Sequence, residues 1–419
     1  MTSAINLLAA LDLYSFLKLF WFFVLFEIPR YTLATLAVGW RNAFPASIPL
    51  PHPWTPVSVL LVGHNEAEAL ARAAAGLREQ THQGLEVVVV DDGSVDGTAE
   101  VGRRLQTSGH IDRFVGTGLR GGKASALNLG LSFCTHDIVV VMDIDTSLDR
   151  NAIAEVVAPL VDDSTVGAVS GNLAVRNSQA SLIAMMQYLE YTTNISLGRQ
   201  FTGMFGLLMI VSGAFGAFRK SAIEDVGGWD VGPGDDSNLT TKLRRAGWSI
   251  AFAENAWALT DVPERAMPLI RQRTRWSRSL IRNRLRKFRA IFDPRQSNFS
   301  TRDLLGTLNH LWFDLGLSLA FLVYVSSLFV LFGEGALVIL LAVSLVAMAG
   351  DTFELLVAAI FLPRLGVLRR LPYVPLYSFY VSYFQRAVRL RAYFLELAFR
   401  DSYNDPFYPA KVRTAQDQF

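Results

Sequence analysis

The chain is poor in cysteine, and its single Cys134 excludes an intrachain disulfide. This scarcity fits a reducing environment for the soluble part of the protein. Cys134 itself is better interpreted as a small buried hydrophobic residue than as a nucleophile. Net charge is also low, at +2, so overall charge gives no support to nucleic-acid binding. The sequence has no internal repeat and no low-complexity tract.

Apolar residues, by contrast, are abundant. They form 51% of the chain, and the mean hydropathy of +0.29 is typical of a protein with membrane segments. The apolar run Leu7–Trp40 is long enough for one span. A cleaved signal peptide is the alternative, but the run lacks a basic start because Lys18 is its first positive residue. Arg30 and Arg41 lie at its far end, which predicts a cytoplasmic domain after it.

The C-terminal third is apolar again. Leu304–Phe332 and Ala336–Leu362 are each long enough to span, and the short Gly333–Gly335 link between them predicts an antiparallel pair. The arginines of the Arg364–Arg370 loop predict that this loop is cytoplasmic. Leu371–Phe399 either spans the membrane or lies in its interface. We therefore expect about four membrane segments in an integral protein of the inner or plasma membrane.

These features divide the chain into five parts. The predicted parts are an N-terminal transmembrane segment (1–44), a cytoplasmic catalytic domain (55–262), basic interfacial helices (263–300), C-terminal transmembrane or interfacial segments (301–399) and a tail (400–419). The tail is too short for an appended regulatory domain, so we expect any such regulation to need a partner protein.

The soluble domain alternates strand and helix patterns, which predicts an α/β fold with a mostly parallel sheet and helices on both faces. One strand, the β-branched run Ile138–Met142, ends in Asp143 and Asp145. Ligands bind beyond the carboxyl ends of strands in such sheets. The two acids are therefore candidates for holding a divalent cation against nucleotide phosphates. The alternative is a pair of solvated acids that cap the next helix.

Three other groups of polar residues follow predicted strands or a glycine turn. His64 and Glu66 end the first strand, and Asp91 and Asp92 end the second, where carboxylates can accept hydrogen bonds from a nucleoside. Lys123 follows two glycines at a helix start, an arrangement that suits a pyrophosphate. Each has a plainer alternative: a turn histidine, a helix cap or an exposed turn.

In this order the motifs His-Asn-Glu, Asp-Asp-Gly-Ser, Gly-Lys-Ala-x-Ala-Leu-Asn and Asp-x-Asp resemble membrane-embedded family 2 glycosyltransferases. Cellulose, chitin, hyaluronan and poly-N-acetylglucosamine synthases belong to this group. The resemblance implies a glycosyltransferase A fold, with a Rossmann-like mixed sheet fused to transmembrane and interfacial helices. It also implies donor contacts for His64, Glu66, Asp91, Asp92, Lys123 and Asp143, and Mg²⁺ or Mn²⁺ at Asp143 and Asp145.

A later motif refines the resemblance. Gly234-Asp235-Asp236 is similar to the acidic pair of the family, whose second acid, here Asp236, is the general base on the acceptor hydroxyl. Asp235 replaces the commoner Glu, and Asn238 stands where many relatives have an acid, which leaves the acceptor contacts open. A plainer interpretation is that the acids only cap the following helix.

Gln272-Arg-Thr-Arg275-Trp276 matches the Gln-x-x-Arg-Trp signature of processive members. The resemblance implies that Gln272 and Arg275 reach the diphosphate and that Trp276 stacks on the acceptor sugar, as indole and guanidinium chemistry allows. Ser279 replaces the glycine that usually follows. The motif begins a stretch rich in Lys and Arg, which we interpret as membrane-surface helices.

We therefore predict an inverting, membrane-bound transferase that uses a UDP-sugar to elongate, and to translocate, a β-linked glycan. The expected partners are a UDP-sugar, a glycan acceptor, membrane lipids and regulatory or export proteins, but no nucleic acid. The alternatives are a non-processive transferase that adds one sugar to a membrane lipid, and a non-catalytic membrane scaffold.

Overall fold

The computed structural model describes residues 12–44, 54–405 and 407–416. Residues 7–11 of the predicted first span, residues 45–53 between that span and the catalytic domain, and residues 406 and 417–419 of the tail lie outside these ranges. Strands and helices alternate through most of residues 57–260, as the sequence predicts, and only helices follow in the described part of the chain.

Eight strands form one sheet in the order β3-β2-β1-β4-β7-β6-β8-β5. They are β1 (Val57–Gly63), β2 (Leu85–Asp91), β3 (Arg113–Gly116), β4 (Ile138–Asp143), β5 (Ser147–Leu148), β6 (Val166–Val175), β7 (Phe215–Arg219) and β8 (Ser249–Thr260). The first four strands in this order are parallel, and β7 runs antiparallel to both of its neighbours. The sheet is thus mixed, with a parallel half that carries the predicted donor residues.

The helices lie on both faces of the sheet and beyond its end. They are α1 (Leu13–Phe22), α2 (Ile28–Ala43), α3 (Ala67–Arg78), α4 (Thr98–Thr107), α5 (Lys123–Leu131), α6 (Ala152–Asp162), α7 (Leu182–Glu190), α8 (Gly198–Met204), α9 (Lys220–Asp225), α10 (Asp235–Arg245), α11 (Ala266–Leu280), α12 (Thr301–Leu311), α13 (Leu317–Phe332), α14 (Ala336–Phe361), α15 (Val374–Phe379), α16 (Arg386–Phe399) and α17 (Ala410–Gln416). Several are joined without a break by π-helical turns, such as Phe23–Glu27 between α1 and α2.

The side chains of β1 show how the sheet is buried. Val59 and Leu61 point into the cluster that includes α3 and α6, whereas Leu60 and Val62 point into the cluster that includes α5 and α10. All four are nearly inaccessible, and burying each such side chain is worth roughly 1.5–3 kcal/mol. Two-sided burial explains why these strands are continuous apolar runs rather than alternating patterns.

The parallel register aligns the carboxyl ends of the strands that carry the candidate residues. Gly63 of β1 pairs with Asp91 of β2, and Asp91 pairs in turn with Gly116 of β3. On the other side, Val62 pairs with Asp143 of β4. Residues separated by up to 81 positions in the chain are therefore brought to one edge of the sheet.

Two helical stretches in the described residues are long and apolar enough to cross a membrane, Leu13–Ala43 and Thr301–Phe361. The second contains two arms, α12–α13 and α14, joined at Gly333, whose φ of +53° allows the reversal. The arms and α1 share one apolar cluster. The segment Leu371–Phe399 is not among these stretches, and its helix α16 packs along α11 instead.

Candidate active site

The centre of the candidate site is an ion pair between Lys123, at the start of α5, and Asp143, at the end of β4. The Lys123 Nζ atom lies 2.5 Å from Asp143 Oδ1 and donates to the Gly213 carbonyl at 3.0 Å. A Cβ atom built on Gly213 would lie 3.3 Å from Lys123 Nζ and 3.9 Å from Asp236 Oδ2. Lys123, Asp143 and Asp236 thus meet around a glycine that leaves room between them.

Asp92 holds the glycine loop that precedes Lys123. One carboxylate oxygen accepts from the Gly121 N–H at 2.7 Å and the other from the Gly122 N–H at 2.8 Å. Because Asp92 is also nearly inaccessible, its carboxylate makes its hydrogen bonds within the protein, to the glycine loop. The predicted nucleoside contact of Asp92 stays a prediction, whereas its hold on the loop that presents Lys123 is direct.

Asp91 and His64 lie at the same strand ends. The Asp91 Oδ1 atom accepts from the Ser94 N–H at 3.0 Å, and the side chain is almost fully buried. His64 Nδ1 lies 2.9 Å from the Asp92 carbonyl oxygen, and its Nε2 lies 3.3 Å from the Asn65 amide. The turn after β1 is therefore tied to the turn after β2, and the two predicted nucleoside-binding turns form one unit.

Glu66, Asp143 and Asp145 form an acidic group beside the ion pair. Burial, and then Asp145 and Asp143, raise the pKa of Glu66 to about 7. Burial, and then Asp143, also raise the pKa of Asp145. Carboxyl groups raise one another's pKa when too little positive charge lies nearby to offset their own.

A divalent cation would supply such charge. In the part of the chain that the structure describes, no three His, Cys, Asp or Glu side chains form a complete metal site. Mg²⁺ bound next to phosphates typically takes only one or two protein carboxylates, and Mn²⁺ shares this preference for oxygen. The carboxylates of Asp143 and Asp145 therefore fit a cation that is also held by a substrate's phosphates.

Asp236 lies in the first turn of α10, where the exposed N–H groups favour negative charge. Its Oδ1 atom accepts from the Ser237 N–H at 2.7 Å. Burial, opposed by Lys123 and assisted by Asp236, raises the pKa of the adjacent Asp235 to about 6. Both acids of the motif are half-buried, and Asp236 is the one that lies next to Gly213.

Two of the three departures from the family motifs, Ser279 and Asn238, have structural explanations. A Cβ atom on Gly234 would lie only 2.8 Å from the Ser279 Cβ, so Gly234 provides the space that Ser279 occupies within the regular helix α11. The Asn238 amide, oriented to suit its neighbours, donates to Asp230 at 3.1 Å and accepts from Lys287 at 2.7 Å. Asn238 therefore belongs to a network behind the site.

The three predicted motif residues on α11, Gln272, Arg275 and Trp276, differ in their exposure and in their contacts. Trp276 is 45% exposed, and the Arg275 guanidinium lies 4.0 Å from the centre of the Phe407 ring. The Gln272 Oε1 atom is buried without a protein partner among the described residues. An unpaired buried acceptor is costly and fits a position that binds a donor group of a ligand.

The C-terminal tail covers part of the site, which the sequence analysis did not foresee. Val412 Cγ2 would lie 3.1 Å from a Cβ atom on Gly122, whose φ is +88°. Phe407 covers Arg275, and Arg278 forms ion pairs with Asp401 and Asp405. The apolar residues within this short polar tail are the signal that could have indicated packing against the domain.

Two arginines near Asp236 were also missed, the half-buried Arg199 and the buried Arg284. Burial lowers the pKa of Arg199, and Asp236 is the largest influence in the opposite direction. Arg284 donates to the Met209 carbonyl at 3.0 Å and to Thr241. Burial lowers the pKa of Arg284 to about 10. The sequence marked Arg284 only as part of a basic stretch.

The site has the features of a glycosyltransferase. They are a mixed sheet with acids at its parallel strand ends, a lysine on a glycine loop and an acid at the start of a nearby helix. The chain belongs to the family described as "Glycosyltransferase like family 2", which matches residues 53–279. This confirms the predicted family and enzyme class.

Relatives and solved structures agree with this assignment. The chain is 31% identical over 222 residues to the poly-beta-1,6-N-acetyl-D-glucosamine synthases of Staphylococcus aureus (strain COL) and Staphylococcus epidermidis. The aligned residues are 53% of this chain and 53% of each relative. The chain spans about half the length of these curated relatives. The mannosyltransferase PcManGT from Pyrobaculum calidifontis, solved in complex with GDP-Man and Mn²⁺, aligns with a TM-score of 0.57 and 24% identity over 88% of this chain and 96% of that one. This likeness confirms the predicted glycosyltransferase A fold.

Proposed function

We propose that this chain transfers sugars from a UDP-sugar to a growing β-linked glycan, with inversion at the anomeric carbon. The observation that carries the proposal is the meeting of Lys123, Asp143 and Asp236 around Gly213. A cation for the departing diphosphate and a carboxylate for the incoming hydroxyl are the two groups that a direct displacement needs.

In the proposed reaction, Asp236 removes the proton from the acceptor hydroxyl while the oxygen of that hydroxyl forms a bond to the anomeric carbon of the donor sugar. The bond from that carbon to the diphosphate breaks on the opposite side, and UDP carries away the electron pair. Lys123 holds its ammonium where negative charge develops on the diphosphate. Arg275 and Gln272 assist from α11, and the turns at His64, Asp91 and Asp92 enclose the nucleoside.

Asp143 and Asp145 would hold Mg²⁺ or Mn²⁺. When bound, the cation would neutralise diphosphate charge. Glu66 borders the same acidic group and would contact the donor from the turn after β1.

Trp276 supports processive elongation because its exposed indole offers an apolar face to the acceptor sugar. The matched relatives are named as poly-N-acetylglucosamine synthases, which makes N-acetylglucosamine the first sugar to test. We further propose that the catalytic domain lies on the cytoplasmic side of the inner or plasma membrane, with the helices α1–α2, α12–α13 and α14 in the bilayer. The glycan would leave between the domain and these helices, with the help of export or regulatory proteins.

A second candidate function, transfer of one sugar to a membrane lipid, is favoured by one cavity of about 570 Å³. Its walls come mainly from α2 and the turn before it, α8 and α12, and they are mainly apolar. Leu33, Phe201 and Trp312 are among its lining residues, and Arg199 lies in the same wall. A lipid acceptor would place its chain in such a space.

The test is UDP release by the full chain in detergent or vesicles, with UDP-N-acetylglucosamine, UDP-glucose and UDP-glucuronate supplied separately. We expect one donor to be used, with activity lost on chelation and restored by Mn²⁺ or Mg²⁺. Long products on a gel would support polymerisation, and a single organic-soluble glycolipid would support the second candidate. Failure of every UDP-sugar, with turnover of another nucleotide sugar, would contradict the proposed donor.

A further inference from the structure

Arg273, the residue between Gln272 and Thr274 in the motif, lies against Trp276. Its guanidinium carbon is 4.4 Å from the centre of the indole, which is within the range of a cation–π contact. The two residues are three positions apart on α11, so the helix itself places them side by side. Trp276 nevertheless keeps 45% of its surface exposed. One face of the indole is thus covered by Arg273 and the rest remains open.

The guanidinium is fixed from behind by a second helix. Arg273 Nη2 lies 2.8 Å from Glu190 Oε2 at the end of α7, and both side chains are largely buried. The Tyr380 hydroxyl donates to the same carboxylate oxygen at 2.9 Å. Three segments that are distant in the chain, α7, α11 and the turn after α15, therefore meet at one carboxylate.

This geometry requires arginine rather than lysine. A planar guanidinium can donate an N–H to the carboxylate at its edge while its flat face lies on the indole. A lysine ammonium could keep the attraction to Glu190, but it has no flat face to lie against the ring. The buried carboxylate cannot easily move, because it is held by two donors in a site with little water.

We propose that Arg273, held by Glu190 and Tyr380, is a positioning residue that fixes the indole of Trp276 for the acceptor sugar. This inference rests on the proposed function, since it presumes that Trp276 carries the acceptor. Arg273 acts only through Trp276 and does not touch the reacting atoms. It sets the orientation of the open face, on which the terminal sugar must lie with its hydroxyl toward Asp236.

The test compares Arg273→Lys, Trp276→Ala and the double variant in the full-length protein. The matched control is Arg113→Lys, because the Arg113 guanidinium lies 5.0 Å from the Phe133 ring centre, outside the site. The donor is the UDP-sugar that supports turnover, and the acceptors are short oligomers cut from the wild-type product. The readouts are acceptor KM, donor KM, UDP release in the absence of acceptor, and product length.

For Arg273→Lys we expect the acceptor KM to rise about tenfold, as the loss of a desolvated cation–π contact implies, with shorter products. Donor KM and acceptor-free UDP release should stay within about twofold, and Arg113→Lys should change nothing. In the Trp276→Ala background, Arg273→Lys should have no further effect. Tyr380→Phe, which leaves the ion pair in place, should cause a smaller change of the same kind.

Three results would overturn the inference. The first is a normal acceptor KM and product length in Arg273→Lys while Trp276→Ala fails, which would leave the proposed function intact. The second is an undiminished effect of Arg273→Lys in the Trp276→Ala background, or an equal loss in every readout, since either would indicate a role other than positioning. The third is normal polymer from Trp276→Ala, which would remove the acceptor role of Trp276 itself.

Discussion

Replacing Asp236 with asparagine separates its proposed catalytic role from its structural one. The side chain of asparagine has nearly the same shape, and its oxygen can still accept the Ser237 N–H that Asp236 accepts at 2.7 Å. The backbone carbonyl of residue 236 also keeps the Thr240 hydroxyl bond. The first turn of α10 should therefore remain intact, and only the negative charge and the ability to take a proton are lost.

The expected loss follows from the chemistry of the position. Removing a positioned general base typically lowers the rate about 10²–10⁴-fold, which corresponds to roughly 2.7–5.5 kcal/mol of barrier. The affinity for UDP, by contrast, should not decrease in this variant. Asp236 lies near Lys123, so its neutralisation leaves the diphosphate site more positive, and the Kd for UDP should stay equal or fall.

The assay measures sugar transfer at saturating donor, and calorimetry measures UDP binding to the same samples. Asp225→Asn is the matched control, because this exposed acid ends α9, and α9 follows β7 on the side of the sheet opposite the carboxyl ends of the parallel strands. We expect the control to retain full activity. If Asp236→Asn transferred sugar at more than about a tenth of the wild-type rate, or lost UDP binding along with activity, the assignment of the base would be wrong.

Three other predictions follow from the structure. Asp145→Asn should raise the Mn²⁺ or Mg²⁺ concentration needed for half-maximal UDP release about tenfold or more, since one charged oxygen ligand becomes neutral; metal-independent wild-type turnover would refute this. A cysteine at Glu334 should react with a membrane-impermeant maleimide added outside intact cells, whereas one at Arg369 should not; the reverse pattern would invert the topology. Burial, and then Glu86, raise the pKa of Cys134 to about 12, so only about one thiol in ten thousand is ionised at pH 8. Native protein should then resist alkylation until it is unfolded, and rapid labelling of the folded protein would contradict the buried position.

The parallel half of the sheet could be predicted because its information is local. Each buried strand is a mainly apolar run rich in β-branched residues, and each is followed at once by its polar residues. Since parallel strands share one direction, their carboxyl ends must meet, and this alone brings Asp91 and Asp143 to the same edge. The antiparallel β7 was not foreseen, because its five residues, Phe215–Arg219, carry no pattern that distinguishes strand direction.

Contacts that join distant segments could not be predicted in the same way. The tail meets the glycine loop through Val412 and Gly122, which are 290 residues apart, and nothing near either residue specifies the other. Glu190 provides a second case. The structure buries Glu190 and pairs it with Arg273, which lies 83 positions later in the chain.

The basic stretch shows how composition alone can overstate a surface. Among the eleven Lys and Arg residues from 265 to 295, a span that the structure describes in full, only four are exposed: Arg265, Arg271, Arg289 and Arg295. Others serve the interior, as Arg284 does beneath α10 and Arg286 does with Glu396. Anionic lipids attract each basic residue near their surface by about 1 kcal/mol. The expected attraction is therefore about 4 kcal/mol rather than about 11. The remaining cations stabilise the packing of α10, α11 and α16, and hence the position of Asp236 and Trp276 relative to each other.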